Sequence, residues 1–488
     1  MPVTTEAMEK WLRGILGVDP DVPKLPLPEY LGAIPRLECL GNLPSSTPVL
    51  VRGDTDAKPG PEVGDGDIRL RSMKETLQFG RERGWKQVVF GHIGREPEKS
   101  LDKVAKRLGE ILDCKVTFIE DWLEAETTTI KQAVVDAIKQ AAPGGVIVLE
   151  NTRKYDIERA LWKAKPADVP KLAPDLARLA NQFAEKVAKV YVHEAFSAGS
   201  LDASSVVVPA AMERVALGKY AAGEFTGPLM VCLEAQLVVS SGLKIDKLDD
   251  LEAMINRGRV RRVFTAGSLA MGLKKAAAEL DGQQFCMGVA EDPKHSDKPY
   301  YIPPKRVEQA KKMIAEGRGK GIEFVMPVDF VLQDGKPAKT IGPTDQQFDV
   351  GPDSSALFEE KVGEFLKANE ALLKANKAKE EKGEEPKESV VAFHNGVFGM
   401  FEDKRFEEGT RRFVKQLKRL REAGVKVYVG GGEGGKALDR YGQPGWVTHN
   451  FTAGGTVLNA LGSEPVPYLV ALKMAAPAAL PEGHPPVS

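Results

Sequence analysis

The stretch KQVVFGHIGREP, residues 86–97, decides the fold class, because an apolar run leads directly into a polar turn. The β-branched and aromatic residues favour a buried strand, and the glycines after them favour a turn. The same pattern recurs in three other stretches, which are TPVLVRGDTD (47–56), GVIVLENTRKY (145–155) and AKVYVHEAFSAGS (188–200). Helical patterns such as SLDKVAKRLGEILD lie between them. Strands that alternate with helices predict a parallel sheet covered by helices.

A second series of apolar runs begins near residue 222 and predicts a second domain of the same class. The runs are PLMVCLE, VRRVFTAGSLAMGLKKA, IEFVMPVDFVL, SVVAFHNGVFGMFED and VKVYVGGGEGG. We therefore expect an α/β protein with two Rossmann-like parallel-sheet domains, residues 1–210 and 211–464. In such sheets ligands bind at the carboxyl ends of the strands, where the polar residues of each pattern lie.

Residues 359–389 interrupt the second domain with a sequence rich in Lys, Glu and Ala. This composition is typical of a solvated helical insertion, and it is a candidate surface for a protein partner. The last residues, KMAAPAALPEGHPPVS, are rich in proline and predict loose order.

The overall charge gives no reason to expect nucleic acid or an anionic membrane as a partner. Lys and Arg number 68 and Asp and Glu number 69, so the formal net charge is −1. The four cysteines are far apart and lack metal-ligand spacing. No window approaches the ~20 apolar residues of a membrane span. We expect small-molecule ligands and a cytoplasmic location.

The stretch VKVYVGGGEGGKALDRYG, residues 425–442, joins an apolar run to a helical pattern through glycines. Gly430 to Lys436 fits the G-x-x-x-x-G-K spacing of a Walker A loop. However, Ala437 stands where a P-loop has the Ser or Thr that coordinates Mg²⁺. The alternative is a glycine turn that brings backbone N–H groups and a helix N-terminus to a phosphate by another route.

Taken in order, these motifs resemble the two halves of phosphoglycerate kinases over residues 47–472. The segments VRGDTD, GHIGR, ENTRKY, FTAGS, DVGP, FHNGVFG and GGGEGG carry the resemblance. It implies two domains that face each other across a hinged cleft, with residues 465–488 packing back on the first. The family transfers a phosphoryl group between 1,3-bisphosphoglycerate and ADP, which gives 3-phosphoglycerate and ATP and belongs to glycolysis.

The resemblance places the acid substrate on the first domain. The residues that match the family's acid-binding positions are Asp54, Asp56, Arg69, His92, Arg95 and Arg153. Arg69 is also the expected catalytic arginine beside the transferring group, with Arg71 as the alternative register. Guanidinium groups suit a phosphorylated acid because they bind phosphate in bidentate fashion. Asp56 departs from the family, which usually has asparagine there.

One loop of the first domain differs more strongly from the family. The family segment DAFGTAHRAHSS reads EAFSAGSLDASS here, so that Leu201 replaces an arginine. Ser200 and Ala203 replace two histidines, and Asp202 adds a charge that should repel the acid. We expect the affinity for the acid to fall about tenfold to a hundredfold, the worth of one charge-assisted hydrogen bond.

The resemblance places Mg²⁺ with ATP or ADP on the second domain. The implied nucleotide-binding residues are Lys247, Gly267, Asn395, Glu402, Gly430, Gly431, Gly432, Gly434 and Lys436. Glu433 replaces the family's metal-binding aspartate and keeps hard oxygen ligands for Mg²⁺.

The family's catalytic lysine segment, GGAKVSDK, can be matched in two registers. EAQLVVSS puts Leu237 and Ser241 at the two lysine positions, whereas LVVSSGLKIDK puts Lys244 at the first and Lys247 near the second. We take Lys244 as the catalytic lysine. The active kinase is our first hypothesis, and the alternative is a catalytically impaired relative that binds nucleotide or a protein partner.

Overall fold

In the computed structural model, the described residues are 2–57, 67–386 and 388–478. They form two compact units. Unit 1 comprises the described residues up to Gly227 and those from Glu464 onward, and unit 2 comprises Pro228–Ser463. The division therefore falls later in the chain than residue 210, because the last strand of the first sheet comes after that point.

Unit 1 contains strands β1 to β8 in its described part. Their bounds are β1 Pro48–Arg52, β2 Lys86–Phe90, β3 Val116–Ile119, β4 Leu123–Glu124, β5 Thr129–Ile130, β6 Val146–Leu149, β7 Val190–His193 and β8 Arg214–Leu217. The helices before the division are α1 Thr5–Ile15, α2 Leu27–Ala33, α3 Ile68–Ser72, α4 Lys74–Glu82, α5 Asp102–Leu112, α6 Gln132–Gln140, α7 Val169–Lys186, α8 Ala203–Val206 and α9 Lys219–Glu224.

The main sheet of unit 1 is parallel throughout its described strands, in the order β3-β6-β2-β1-β7-β8. Its strands are short apolar runs such as PVLVR and VIVL, which are buried on both faces because helices cover the sheet. The chain leaves β1 toward β2 and later returns to the other side with β7. The carboxyl end of β1 is thus a topological switch point, where open α/β sheets form a ligand crevice.

Unit 2 contains strands β9 to β17 in its described part. Their bounds are β9 Leu237–Ser241, β10 Arg262–Ala266, β11 Glu323–Val325, β12 Phe330–Leu332, β13 Pro337–Ala338, β14 Gln347–Val350, β15 Val391–Asn395, β16 Lys426–Val429 and β17 His449–Asn450. Its helices are α10 Met230–Cys232, α11 Lys247–Asn256, α12 Gly267–Leu280, α13 Pro304–Gly319, α14 Pro352–Ala368, α15 Glu370–Glu380, α16 Glu408–Glu422, α17 Gly432–Tyr441 and α18 Gly454–Leu461.

The main sheet of unit 2 is also parallel, in the order β11-β10-β9-β15-β16-β17. β9 lies between β10, the next strand in sequence, and β15, which comes much later. The second switch point is therefore at the carboxyl end of β9. β12, β13 and β14 form a small antiparallel sheet of their own.

The prediction of a strand at PLMVCLE was wrong. Pro228 lies in a five-residue π-helical segment, Phe225–Leu229, and α10 follows at once. A short apolar run does not distinguish a strand from a buried helical turn. This result argues against the lysine register that was counted from that run. The two positions that it assigns to lysines, Leu237 and Ser241, are the ends of β9 and are buried within the sheet.

The segment after Glu464 forms α19, Pro467–Ala475, which packs within unit 1. The Tyr468 hydroxyl donates to the Phe196 carbonyl at 3.1 Å, and its ring stacks on His193 with 4.0 Å between centroids. The predicted tail beyond residue 478 lies outside the described residues.

The predicted insertion at 359–389 is only partly a solvated segment. It begins inside α14, whose Val362 and Phe365 are buried against α16 in the core of unit 2, and Leu373 of α15 joins the same core. Only the later part of the segment is predominantly exposed. Among the described residues, no helix is both long and apolar enough to cross a membrane.

Candidate active site

Two aspartates follow β1 at the switch point of unit 1. Asp54 is buried, and Ser197 donates to it from its hydroxyl at 2.7 Å and its backbone N–H at 3.2 Å. Burial raises the pKa of Asp54, while Arg69 and the Ser197 bonds oppose the rise. Arg69 donates to a carboxylate oxygen and to the carbonyl of Asp56, both at 3.0 Å. The aspartates therefore already hold the arginine that sequence analysis predicted to be catalytic.

The two possible arginine registers have different positions in the structure. Arg69 Nε lies 4.0 Å from a carboxylate oxygen of Asp54, so α3 delivers Arg69 to the switch point. Arg71 instead bonds Asp67 at 2.9 Å. Arg95 is exposed on the loop after β2. Of the predicted basic residues, Arg69, His92 and Arg153 come together around the strand ends.

A buried ion cluster surrounds Asp202, which is fully buried. Arg153 Nη2 donates to both carboxylate oxygens, at 2.9 and 3.2 Å, and Trp162 Nε1 donates to one at 2.9 Å. Arg52 Nη2 lies 3.6 Å from the same carboxylate. We call Arg52, His92, Arg153 and Asp202 the acid cluster. The expected repulsive charge is thus paired inside the protein, and sequence analysis missed this because it treated the loop as facing the ligand.

His92 takes part in the acid cluster as a neutral ring. Its Nδ1 lies 2.8 Å from Arg52 Nη2, and an arginine can only donate, so Nδ1 is an acceptor. The same atom is 3.5 Å from an Asp202 oxygen, which is a close approach between two acceptors rather than an ion pair. Burial and then the nearby Arg52, Arg153 and Arg69 hold the His92 pKa well below its usual 6.5.

A second buried carboxyl group, Glu158, lies beside the acid cluster. It accepts hydrogen bonds from the Ser204 backbone N–H at 2.8 Å and from the Thr152 hydroxyl at 2.9 Å. Burial, followed by the charge of Asp202, raises its pKa to about 7. Arg52 lies close to both carboxyl groups. Its Nη2 is 3.6 Å from Asp202, and its Nε donates to Ser204 Oγ at 2.8 Å. The Ser204 hydroxyl in turn donates to Glu158.

At the switch point of unit 2 there is an open cavity of about 260 Å³. Three predicted nucleotide-side residues line it, namely Gly267, Glu402 and Glu433. Its apolar wall was missed in sequence analysis and includes Leu243, Tyr300, Phe348, Val397, Phe398 and Met400. The signal for part of this wall was present, because Leu243 and Met400 are large exposed apolar residues close to glycines, and such residues often mark a binding surface.

Glycines keep the strand ends of unit 2 close together. Gly396, after β15, has φ +95°, and a Cβ there would sit 2.1 Å from the Ser241 carbonyl oxygen. Gly267, after β10, has φ +66°, and its Cβ would lie 2.7 Å from the Gly242 carbonyl oxygen. A side chain at either position would push the backbones apart. The three strand ends therefore converge only because these residues are glycine.

Lys247 and Glu433 approach each other beside the cavity. Both side chains come within 4 Å of the point where a Cβ on Gly242 would be. Lys247 Nζ donates to the Ser241 carbonyl at 2.7 Å. Burial lowers the Lys247 pKa below 10.5, and Glu433 opposes that change. Lys244 and Lys436 are exposed, and neither is among the residues that line the cavity.

The glycine loop after β16 is a tight turn rather than a Walker A loop. Only Gly430 and Gly431 separate β16 from α17, so Lys436 is the fifth residue of the helix. Gly431 has φ +43°, and a Cβ there would lie 2.7 Å from the Phe451 carbonyl oxygen. The Asn395 side chain fixes the turn by donating to the Gly430 carbonyl at 2.9 Å. The N–H groups in the first turn of a helix such as α17 favour an anion.

The first turn of α17 contributes three of the predicted nucleotide-side residues. Gly432 begins the helix with φ +58° and open space where its Cβ would be, and Glu433 follows. Gly434 is buried, and a Cβ there would lie 3.4 Å from the Gly396 carbonyl oxygen. The turn therefore lies against the end of β15 and presents Glu433 to the cavity.

Comparisons with known proteins agree with this architecture. A family model described as phosphoglycerate kinase matches residues 44–464. The phosphoglycerate kinase of Clostridium beijerinckii is 26% identical over 441 residues, which cover 88% of this chain and 96% of that protein. That of Candida glabrata is 28% identical over 421 residues, covering 82% and 89%. The crystal structure of phosphoglycerate kinase from Pyrococcus horikoshii shares the fold, with a TM-score of 0.65, 22% identity and coverage of 91% and 99%.

Proposed function

The chain belongs to the phosphoglycerate kinase family, and we propose that it transfers a phosphoryl group between 1,3-bisphosphoglycerate and ADP, which gives 3-phosphoglycerate and ATP. The observation that carries the proposal is the cavity at the β9 switch point, with its glycine-lined strand ends and Glu433. Glycines let backbone N–H groups approach phosphates, and the apolar wall suits the base and ribose of a nucleotide.

The residues beside the cavity fit Mg²⁺ that arrives with the nucleotide. Among the described residues, no group of three or more Asp, Glu, His and Cys could hold a metal alone. Magnesium in nucleotide sites is usually held by one or two carboxylates together with phosphate oxygens. Glu433 would supply such a carboxylate, and the ion would neutralise charge on the phosphates.

We propose that the chain's own cations position the reacting groups. Lys247, with its lowered pKa, would lie close to a bound phosphate, and the more exposed Lys244 is the proposed catalytic lysine. On unit 1, Arg69 would bind the acyl phosphate, and Asp54 and Asp56 would hold its guanidinium in place. Because Arg95 is exposed beside these residues, it would provide a further cation for the acid.

A coupled assay with Mg-ATP and 3-phosphoglycerate tests the proposal. We expect turnover with a raised KM for the acid. Lys244→Ala should lower kcat with little change in nucleotide affinity, whereas Lys436→Ala, at a predicted nucleotide-binding position, should weaken ADP binding with little change in kcat. Calorimetric binding of ADP without any turnover in either direction would contradict the proposed reaction and support the impaired relative instead.

The cytoplasm stays our proposed compartment, and imaging of a fluorescent fusion tests it. The exposed later part of 359–389 remains the proposed surface for any protein partner. Replacing residues 377–386 by a short glycine-serine linker should leave turnover unchanged and abolish such binding.

A further inference from the structure

The acid cluster of unit 1 is arranged as a ligand site would be. Arg52 ends β1, His92 follows β2, and Arg153 follows β6, so three neighbouring strand ends of the sheet converge on one point. In open α/β sheets this edge is where ligands bind. The group at the point of convergence is a carboxylate of the chain itself, Asp202.

Asp202 is bound in the way that a protein binds a small anion. It receives hydrogen bonds from Arg153 Nη2 on both oxygens and from Trp162 Nε1 on one. The Arg153 guanidinium lies 4.7 Å from the centre of the Trp162 ring, which fixes its orientation. Arg153 also donates to the Gly94 carbonyl at 2.7 Å, so its position does not depend on Asp202 alone.

One buried donor of the cluster is left unused by Asp202. Within the described residues, the buried Nε of Arg153 has no hydrogen-bond partner. A buried guanidinium with an unused donor is costly unless a further acceptor is supplied. Asp202 therefore neutralises the arginines without satisfying all of their donors.

We propose that Asp202 is a built-in anion that occupies the innermost position of the acid site and sets its specificity. The site then excludes an anionic group from Arg153 and leaves the outer cations, Arg69 and Arg95, for the substrate. This inference rests on the proposed function for the identity of the acid. The anion site that it describes can be tested without any turnover.

The substitution Asp202→Asn keeps the side-chain size and removes the charge. The uncompensated arginines should then take up an external anion. Inorganic phosphate should raise the melting temperature of this variant more than that of the wild type, because the variant gains a site and a ligand stabilises the state that binds it. In calorimetric titrations, 3-phosphoglycerate should bind the variant about tenfold to a hundredfold more tightly than the wild type.

Asp67→Asn is the matched control. Asp67 is also a buried aspartate held by two arginines, Arg71 and Arg107, and its replacement changes the net charge equally. Phosphate should stabilise it no more than it stabilises the wild type. If the control responds as Asp202→Asn does, the effect is general electrostatics and the inference is wrong.

The double variant Arg153→Gln with Asp202→Asn keeps the test valid if the single variant is poorly folded. It removes both charges and should lose the response to phosphate. Equal phosphate stabilisation of the wild type and Asp202→Asn, or of the single and double variants, would overturn the inference. Absence of turnover in every variant, with phosphate binding to Asp202→Asn intact, would reject the proposed function alone.

Discussion

The two units place their first strand in the same way and use its carboxyl end differently. In unit 1 the edge around β1 is filled by the chain's own side chains, with Asp202 buried among Arg52, His92 and Arg153. In the described part of unit 2, the edge around β9 opens into a cavity between glycines, with Lys247 and Glu433 beside it. A common topology therefore fixes where a site can form, while a few side chains decide whether the position is occupied.

The largest effect is expected from breaking the acid cluster of unit 1. Arg153→Met leaves the Asp202 carboxylate buried without the Nη2 group that donates to both of its oxygens, which should lower the free energy of unfolding by about 3–5 kcal/mol. Adding Asp202→Asn should restore much of the loss. Tryptophan fluorescence during urea unfolding measures this well, because Trp11, Trp85, Trp122 and Trp162 lie in unit 1 and Trp446 in unit 2. Equal midpoints for the single and double variants would show that the two charges are not coupled.

The second-largest effect is expected from adding a side chain at the glycine-lined edge of unit 2. Gly396→Ala combines a positive φ with a Cβ at 2.1 Å from a carbonyl oxygen, so we expect a loss of about 2–5 kcal/mol and of ADP binding. Gly282→Ala is its control, since Gly282 has φ +70° and nothing within 4 Å of a Cβ. It should cost only about 1–2 kcal/mol. Similar losses in the two variants would mean that close approach of the strands is unimportant.

A smaller effect is expected from replacing the proposed metal ligand. Glu433→Gln should weaken Mg-ADP binding about tenfold, or ~1.4 kcal/mol, because a neutral amide is a poorer ligand for Mg²⁺. With excess chelator the variant and the wild type should bind ADP equally, and Glu433→Asp should retain most of the metal-dependent affinity. A loss that persists without metal would assign Glu433 a role other than coordination.

The smallest effect is a change of ionisation beside the cavity. Burial already lowers the pKa of Lys247, and Glu433 counteracts it, so Glu433→Gln should move this pKa further below 10.5. The charged form of Lys247 is thus disfavoured by folding at neutral pH, and that penalty disappears as pH rises toward 10.5. NMR titration of labelled lysine side chains measures the change. Lys311, whose pKa is raised by Glu308 and Glu279, should not move.

The sequence predicted the architecture well because the strands are compact apolar runs separated by helices. It predicted that polar residues gather at the strand ends, and the structure brings Asp54, Arg69, His92 and Arg153 together there. It did not predict that Asp202 points into this group, since the orientation of a loop carboxylate depends on tertiary packing against Trp162.

The errors in unit 2 have a similar origin. The apolar run at 228–234 carries too little periodicity to separate a strand from a helical turn, and that ambiguity left two lysine registers open. The charged composition of 359–389 concealed the buried Val362 and Phe365, because a few apolar residues at helical spacing are enough to anchor a helix to a core.

Hydrogen–deuterium exchange of the full chain tests the contrast between the filled and the open edge most directly. Exchange would be followed with Mg-ADP alone and with 3-phosphoglycerate alone at equal concentration. We predict that Mg-ADP slows exchange at the ends of β9, β10 and β15, while 3-phosphoglycerate slows exchange at the ends of β1, β2 and β6 less in the wild type than in Asp202→Asn. Equal protection of unit 1 by the acid in the wild type and in Asp202→Asn, or no protection of unit 2 by Mg-ADP, would show that this contrast is wrong.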